Sequence, residues 1–110
     1  MTTTSAAPVV VYRQEGPWRV LLNMHPDGPG GVHDDNYARK LGFRRALVPG
    51  EAVAEAVMPA IVHRFGSRWI DGGWFSMKMV TPTFVDEEVH EVAEALDGAP
   101  DRIAIRLENR

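Results

Sequence analysis

Apolar runs and turn-forming residues alternate along the N-terminal part of the chain. Val9–Tyr12 is a β-branched and aromatic run, and Trp18–Met24 is a second, largely apolar run. Glu15–Pro17, with the sequence Glu-Gly-Pro, lies between them and has the composition of a turn. This pattern predicts two short strands joined by that turn.

Helical signals begin after a stretch that excludes regular structure. Pro26–Gly31 holds two prolines and three glycines, which disfavour a helix and a central strand alike. Asp34 or Asp35 can then cap a short helix over Asn36–Leu41, which Gly42 ends. The sequence therefore predicts a loop followed by a short capped helix.

One long helix is predicted over Gly50–Phe65, with Gly66 as its stop. Its apolar residues recur at helical spacing, as Val53, Val57 and Ile61 show. Alanines fill much of the remaining surface, so the helix is apolar over more than half of its circumference. Such a helix is expected to be buried on several sides.

The C-terminal third has the alternation of strands. Trp74–Val80 places Phe75, Met77 and Met79 on one face, which predicts a strand. Val85–Leu96 is compatible with a helix or a strand, because Glu, Ala and Leu favour the former and the valines the latter. Ile103–Leu107 alternates strictly and predicts a last strand after the turn at Asp97–Asp101.

This order of elements predicts an α+β architecture, in which one antiparallel sheet wraps around the long helix. Such a sheet keeps an open edge, and an open edge invites pairing with a second copy. We therefore expect a homodimer or a higher homo-oligomer.

Composition narrows the class of protein. The 110 residues fit a single domain at 8–110, preceded by a small, polar tail at 1–7 that we expect to be disordered. A net charge of −3 argues against a nucleic-acid partner, and no apolar stretch is long enough to cross a membrane. The absence of cysteine excludes thiolate metal sites and cysteine nucleophiles. We expect a cytoplasmic protein without a signal peptide.

A block of motifs in the middle of the chain resembles the MaoC-like dehydratase/hydratase family of hotdog-fold proteins. It comprises Val32-His33-Asp34-Asp35, Tyr37-Ala38-Arg39, Gly42-Phe43-Arg44 and Leu47-Val48-Pro49-Gly50. The resemblance implies a hotdog fold, with a sheet around a central helix. It also implies addition or removal of water at a 2-enoyl/3-hydroxyacyl thioester of coenzyme A or acyl carrier protein, without a cofactor or a metal.

The resemblance assigns catalytic roles to three residues. His33 takes the place of the family histidine, Asp27 is the nearest candidate for the catalytic aspartate, and the Gly50 N–H would donate to an oxyanion. An imidazole that titrates near neutrality suits proton transfer, and the N–H groups at a helix start suit a developing negative charge. Asp27 precedes His33 by six residues, where the family pattern has five, and the chain ends at Arg110, which leaves the expected sheet without its usual last strand.

Substrate-binding roles are predicted for five further residues. Asp35 matches the acidic residue two positions after the family histidine, and Glu51 directly follows Gly50. Arg44 and Arg45 belong to a basic cluster that could receive the phosphates of coenzyme A or an acidic carrier protein. Trp74 is a candidate for lining an acyl-binding tunnel.

Two alternatives stay open from the residues alone. The first is a catalytically silent hotdog subunit that binds a small acyl ligand or completes a hetero-oligomer. The second is a thioesterase or natural-product-pathway enzyme that uses Glu51 or Glu55 of the long helix as its base. His25, Asp27 and His33 are also of the residue types that bind iron or zinc, but their spacing is unspecific, and we predict no metal.

Overall fold

A computed structural model describes residues 9–22 and 31–110 of the chain. Its elements, in chain order, are β1 (Val10–Glu15), β2 (Arg19–Val20), α1 (Asp35–Lys40), α2 (Gly50–Phe65), α3 (Ser67–Gly72), β3 (Glu88–Leu96) and β4 (Ala104–Asn109). The predicted α+β class is confirmed at this level: helices pack on an antiparallel sheet of four strands. The predicted tail at 1–7 lies outside the described residues.

The strand β3 is the centre of the sheet. Both β1 and β2 pair with it in antiparallel register along one edge, and β4 pairs antiparallel along the other. The stretch Val85–Leu96, whose sequence is compatible with a helix or a strand, thus contains the strand β3. It has nine residues, of which six are buried.

The two short strands predicted near the N-terminus are present, and both pair with β3 rather than with each other. Glu15 lies opposite Val92 and Arg19 opposite Val89, so this edge holds one more residue than β3 does. The extra residue lies within residues 16–18, where the Gly16 N–H still donates to the carbonyl of its partner Glu91 at 2.9 Å. The turn-like composition marks a bulge rather than a chain reversal.

The Glu91 side chain passes over Gly16, so a side chain at position 16 would have to displace the Glu91 carboxylate. A Cβ atom built on Gly16 would lie 1.8 Å from Glu91 Oε1. The Glu91 carboxylate instead pairs with Arg19 at 2.6 Å, and Arg19 also donates to the Ala56 carbonyl of α2 at 2.8 Å. This buried polar contact ties the sheet to the helix.

The helix α2 has the bounds predicted from its sequence and continues through Pro59. Its buried residues are Ala52, Val53, Ala56, Ala60 and Ile61. The small side chains let the helix approach the inner face of the sheet, where Val89 joins Ala52, Val53 and Ala56 in the core. Leu21 and Val48 complete that core.

Charged and aromatic side chains cover the outer face of the sheet. The His90 ring stacks on the Trp18 ring, with their centroids 3.9 Å apart, and His90 Nε2 lies 3.2 Å from a Glu108 carboxylate oxygen. Glu94 pairs with Arg13 and with Arg106 across the strands. These contacts close over β3 from outside, so that both of its faces are covered.

The predicted strand at Trp74–Val80 is wrong for the isolated chain, since these residues form no described strand. They lie in an exposed stretch between α3 and Thr83. A short helix, α3, follows Gly66 where no helix was predicted. The physical reason for the missing strand is the lack of a neighbour in the described chain, because a strand exists only through hydrogen bonds to another strand.

None of the described helices has both the length and the apolar character that crossing a membrane requires.

Candidate functional site

The loop before α1 holds the predicted catalytic histidine by its ring. His33 Nδ1 lies 2.7 Å from the Leu47 carbonyl oxygen, and the side chain is half-buried. A carbonyl oxygen only accepts hydrogen bonds, so Nδ1 is the protonated nitrogen in this contact. The lone pair of the neutral ring is then on Nε2, which is the arrangement of a general base with a defined orientation.

This contact brings the imidazole close to the start of α2. Leu47 precedes Gly50 by three residues, which span about 10 Å at most. Ala52 and Val53 both donate their N–H groups to the Pro49 carbonyl, at 3.0 and 3.2 Å. The N–H of Gly50 has no carbonyl partner among the described residues, and the positive end of the helix dipole lies there.

Gly50 is exposed, and the space beside it is open. A Cβ atom built on Gly50 would meet no heavy atom within 4 Å among the described residues. Glu51, also predicted to bind substrate, is exposed in the same turn.

Two aspartates next to His33 have different structural roles. Asp34 is the cap of α1 and accepts a hydrogen bond from the Tyr37 N–H at 3.3 Å. Asp35 binds Arg45 through two hydrogen bonds of 3.2 and 3.0 Å and accepts the Ala46 N–H at 2.8 Å. The hydrogen bond from Arg45, followed by that from Ala46, lowers the pKa of Asp35 below its ordinary value.

The predicted basic cluster is paired with acids. Arg44 binds Asp86 through two hydrogen bonds of 2.7 and 2.8 Å and stacks 4.5 Å above the Phe84 ring. This hydrogen bonding lowers the pKa of Asp86 and raises the pKa of Arg44. Arg45 also lies 3.7 Å from Asp86. The substrate-binding role predicted for Arg44, Arg45 and Asp35 stays a prediction, and the structure shows these three side chains in contact with protein groups.

Backbone pairing holds the stretch that carries the His33 partner. Leu47 and Phe84 form an antiparallel bridge. On either side of it, Val48 N–H donates to Thr83 O at 2.8 Å and Val85 N–H donates to Ala46 O at 3.1 Å. The Leu47 carbonyl that orients His33 therefore lies on a stretch fixed by backbone bonds and by the two arginine pairs.

A large open cavity of about 940 Å³ lies on the side of α2 away from Arg19. Its volume is at the upper end of the range for small-molecule sites. Val53, Val57, Ile61 and Phe65 of α2 line one side, and Trp74, Phe75, Met77, Met79, Ile105 and Leu107 line others. Trp74 thus shares a cavity with Val53, which lies in the first turn of the helix that Gly50 begins.

A smaller cavity of about 290 Å³ lies on another side of the helix. Glu55, Ala52 and Pro59 of α2 line it together with Arg19 and Leu22. Glu55, the helix residue of the alternative hydrolytic hypothesis, therefore shares this smaller cavity with Arg19 and does not line the larger one.

Two of the residues considered from sequence lie outside the described residues. These are Asp27, the predicted partner of His33, and His25. Within residues 9–22 and 31–110, no cluster of three or more His, Asp or Glu side chains could hold a metal ion.

Sequence reasoning missed the groups that orient the site. The Leu47 carbonyl binds His33, yet a backbone carbonyl has no residue-type signature that a sequence could reveal. Asp86, which pairs with Arg44, follows it by 42 residues and reads as part of a turn. Only the charge of Asp86 could have suggested a partner for the basic cluster.

Comparison of the chain with protein-family models, with curated proteins and with solved structures found no match.

Proposed function

We propose that this protein is a dehydratase or hydratase of the MaoC-like, hotdog-fold type, which adds or removes water at a 2-enoyl/3-hydroxyacyl thioester of coenzyme A or acyl carrier protein. The observation that carries the proposal is the 2.7 Å contact between His33 Nδ1 and the Leu47 carbonyl, three residues before Gly50. It supports a histidine with its basic nitrogen oriented, next to the positive end of α2.

The chemistry requires two functions from the site. In the hydration direction, a base removes a proton from water as the oxygen attacks the β-carbon, and a proton reaches the α-carbon. Negative charge collects on the thioester carbonyl oxygen in between. His33 Nε2 is the group for proton transfer, and the Gly50 N–H, together with the helix dipole, is the donor for the oxyanion.

The open cavity along α2 supports an acyl substrate. Val53 begins its apolar wall one turn after Gly50, and Val57 and Ile61 continue the wall at helical spacing. An acyl chain that enters here would have its carbonyl end near the first turn of the helix. Trp74, at the rim of the same cavity, keeps its proposed substrate-binding role.

The test is hydration of crotonyl-coenzyme A, followed by the loss of enoyl absorbance. We expect turnover by the parent chain and a loss of about 100-fold or more in kcat/KM for His33→Ala, because a positioned acid–base group contributes about that factor. His63→Ala is the matched control, since His63 is an exposed histidine of α2 and should keep parental activity. Far-ultraviolet circular dichroism checks that both variants fold.

Two results would contradict the proposal. One is His33→Ala activity above about a tenth of the parent value, which is too much for the loss of an acid–base group. The other is release of free thiol from the thioester without loss of the double bond, which indicates hydrolysis. In that case Glu51→Gln and Glu55→Gln would identify the base.

A further inference from the structure

The charges around the large cavity are unevenly distributed along α2. The apolar face of the helix lines the cavity from Val53, near its start, to Phe65, at its end. Charged and polar side chains complete the lining at both ends of this face, and the two ends differ in the sign of their charge. This difference indicates which end suits an anionic group of a ligand.

The end of the cavity near Val53 carries a carboxylate. Val53 shares the hydrophobic core with Val89, and Val89 lies opposite Asn109 in the sheet. The Asn109 amide donates a hydrogen bond to the Glu87 carboxylate at 2.8 Å, and both side chains line the cavity. A second carboxylate is unfavourable beside Glu87, because like charges repel each other.

The end of the cavity near Phe65 carries two arginines. The guanidinium carbon of Arg68, in α3, lies 5.7 Å from the centre of the Phe65 ring. Arg102 belongs to the turn before β4, and Arg64 ties this turn to the same end of α2 by donating to the Pro100 carbonyl at 3.4 Å. Arg68 and Arg102 both line the cavity, and both are exposed to solvent.

Neither of these two arginines is neutralised by an ion pair. Within residues 9–22 and 31–110, Arg68 and Arg102 bind no carboxylate, whereas Arg44 and Arg45 each bind one. Asp101 also lines the cavity and contributes one negative charge, so the two arginines leave this end with a net positive charge. Guanidinium groups without a partner are strong hydrogen-bond donors to a carboxylate.

The distance between the two ends limits the length of a ligand. Phe65 follows Val53 by twelve residues, which corresponds to about 18 Å along a helix. An extended chain of single bonds advances by about 1.2 Å per bond, so about 12 to 15 carbons span this wall. The wall between the two ends is apolar, since Val57 and Ile61 line it on the helix and Met77 lines it from the facing stretch.

We propose that the large cavity binds an extended alkyl chain of about 12 carbons, whose terminal carboxylate is held by Arg68 and Arg102 at the C-terminal end of α2. The alkyl chain then lies along the apolar face of the helix and points toward its start. The carboxylate lies away from Glu87 and receives hydrogen bonds from two guanidinium groups.

Two kinds of ligand carry this group. In a free fatty acid the carboxylate is the only charged group, and its binding does not depend on the proposed function. In a dicarboxylic acyl thioester the carboxylate is at the far end of the acyl chain, and the thioester end reaches toward Gly50. This second form rests on the proposed function. The test therefore measures binding rather than turnover.

The first test is the binding of dodecanoate, measured by titration calorimetry and by the fluorescence of Trp69 and Trp74, which line the cavity. We expect the parent chain to bind dodecanoate about tenfold more tightly than methyl dodecanoate, which has the same alkyl chain without the charge. The difference should decrease as the salt concentration is raised, because both arginines are exposed.

Two neighbouring residues provide variants with opposite effects. Arg102→Gln removes a positive charge and should weaken dodecanoate binding at least about threefold, whereas Asp101→Asn removes a negative charge and should strengthen it. Arg68→Gln should act like Arg102→Gln, and none of the three should change the binding of methyl dodecanoate. Arg39→Gln is the matched control, because Arg39 is an exposed arginine of α1 that does not line the cavity.

Coenzyme A thioesters identify the source of the carboxylate. Dodecanedioyl-coenzyme A carries a carboxylate at the far end of its acyl chain, and dodecanoyl-coenzyme A does not. If the ligand is a dicarboxylic thioester, the first binds more tightly than the second, and Arg68→Gln removes the difference. If the ligand is a free fatty acid, dodecanoate binds more tightly than either thioester.

Three outcomes would overturn this site. The first is a parent chain that binds neither dodecanoate nor dodecanedioyl-coenzyme A. The second is equal binding of dodecanoate and methyl dodecanoate, which would leave the arginines without a role. The third is dodecanoate binding that Arg68→Gln and Arg102→Gln both leave unchanged while circular dichroism shows folded chains. Dodecanoate binding without hydration of crotonyl-coenzyme A would contradict the proposed function alone.

Discussion

The strand β3 and the stretch Trp74–Val80, called the edge segment below, differ in a way that their sequences do not suggest. β3 carries His90, Glu91 and Glu94 among its valines and alanines, and its pattern suits a helix as well as a strand. It is nevertheless the central strand of the sheet. The edge segment has clear apolar alternation but forms no strand in the isolated chain.

The difference follows from the neighbours that each stretch has. β3 is paired along both edges, packed by α2 inside, and covered by Trp18 and the arginine–glutamate pairs outside. The residues that flank the edge segment, Gly73 and Thr83, make backbone hydrogen bonds to Trp69 and Val48, and the segment itself lines the large cavity. Strand formation therefore depends on available partners more than on side-chain pattern, and a favourable pattern without partners leaves an exposed apolar surface.

The largest expected effect comes from the buried charge of β3. Glu91→Ala should lower the free energy of unfolding by about 2 to 4 kcal/mol, because it leaves Arg19 without its carboxylate at the contact between sheet and helix. Glu88→Ala is the matched control on the same strand. It removes an exposed pair with Arg110 and should cost less than about 1 kcal/mol. Urea unfolding measures both, and equal effects would show that the Arg19–Glu91 pair is no better than a surface pair.

A second comparison uses one substitution in both regions. Val89 is 2% exposed in the core, and Val80 is 82% exposed in the edge segment. Val89→Ala should cost about 1.5 to 3 kcal/mol, from lost burial and the cavity left behind. Val80→Ala should change the unfolding free energy of the monomer by no more than about 0.5 kcal/mol. Thermal and urea unfolding at low micromolar concentration compare the two. A large effect of Val80→Ala would mean that the edge segment is already packed within one chain.

The smallest expected effect concerns the ion pairs that Arg44 and Arg45 make with Asp86 and Asp35. These pairs lie close in sequence to the bridge between Leu47 and Phe84. Hydrogen bonds from Arg45 and Arg44 lower the pKa values of Asp35 and Asp86 in the folded chain. Their contribution to stability is thus present above the ordinary carboxyl pKa and is lost as the pH falls through the lowered values. The urea concentration at the midpoint of unfolding should therefore decrease when the pH is lowered below about 4.

Variants of the Arg44–Asp86 pair measure how much this ion pair contributes to the pH dependence of stability. Asp86→Asn and Arg44→Gln each remove the same ion pair, so both should flatten the fall of the urea midpoint by a similar amount. The double variant should add little to either single change. If both single variants keep the parental pH dependence, the pair does not contribute to it.

Sequence reasoning succeeded where the signals are local. A cap at Asp34 or Asp35 and the bounds of α2 could be predicted, because helix ends depend on residues within one or two turns, and the structure uses Asp34. The last strand also matched its alternating pattern. The first two strands could not be arranged correctly, because their partner lies more than 60 residues later, as Arg19 opposite Val89 shows.

The candidate site shows the same distinction between features set by nearby residues and features set by distant ones. His33 and Gly50 could be named from their motif, but the carbonyl that orients the ring could not. The arginines could be named as a basic cluster, but their ion pairs with Asp35 and Asp86 could not be predicted. The sequence shows which residues are charged, but only the fold shows which opposite charges lie next to each other.

The sequence by itself determined the two principal helices, their caps and the alternation of β4, because each depends on contacts between residues close along the chain. Only the tertiary structure decided that β3 is central, that an extra residue lies between β1 and β2, and that Glu91 is buried against Arg19. These features join residues as many as 86 positions apart, as Val10 opposite Leu96 shows. The free energy of such contacts exists only once the helix and the sheet have packed together.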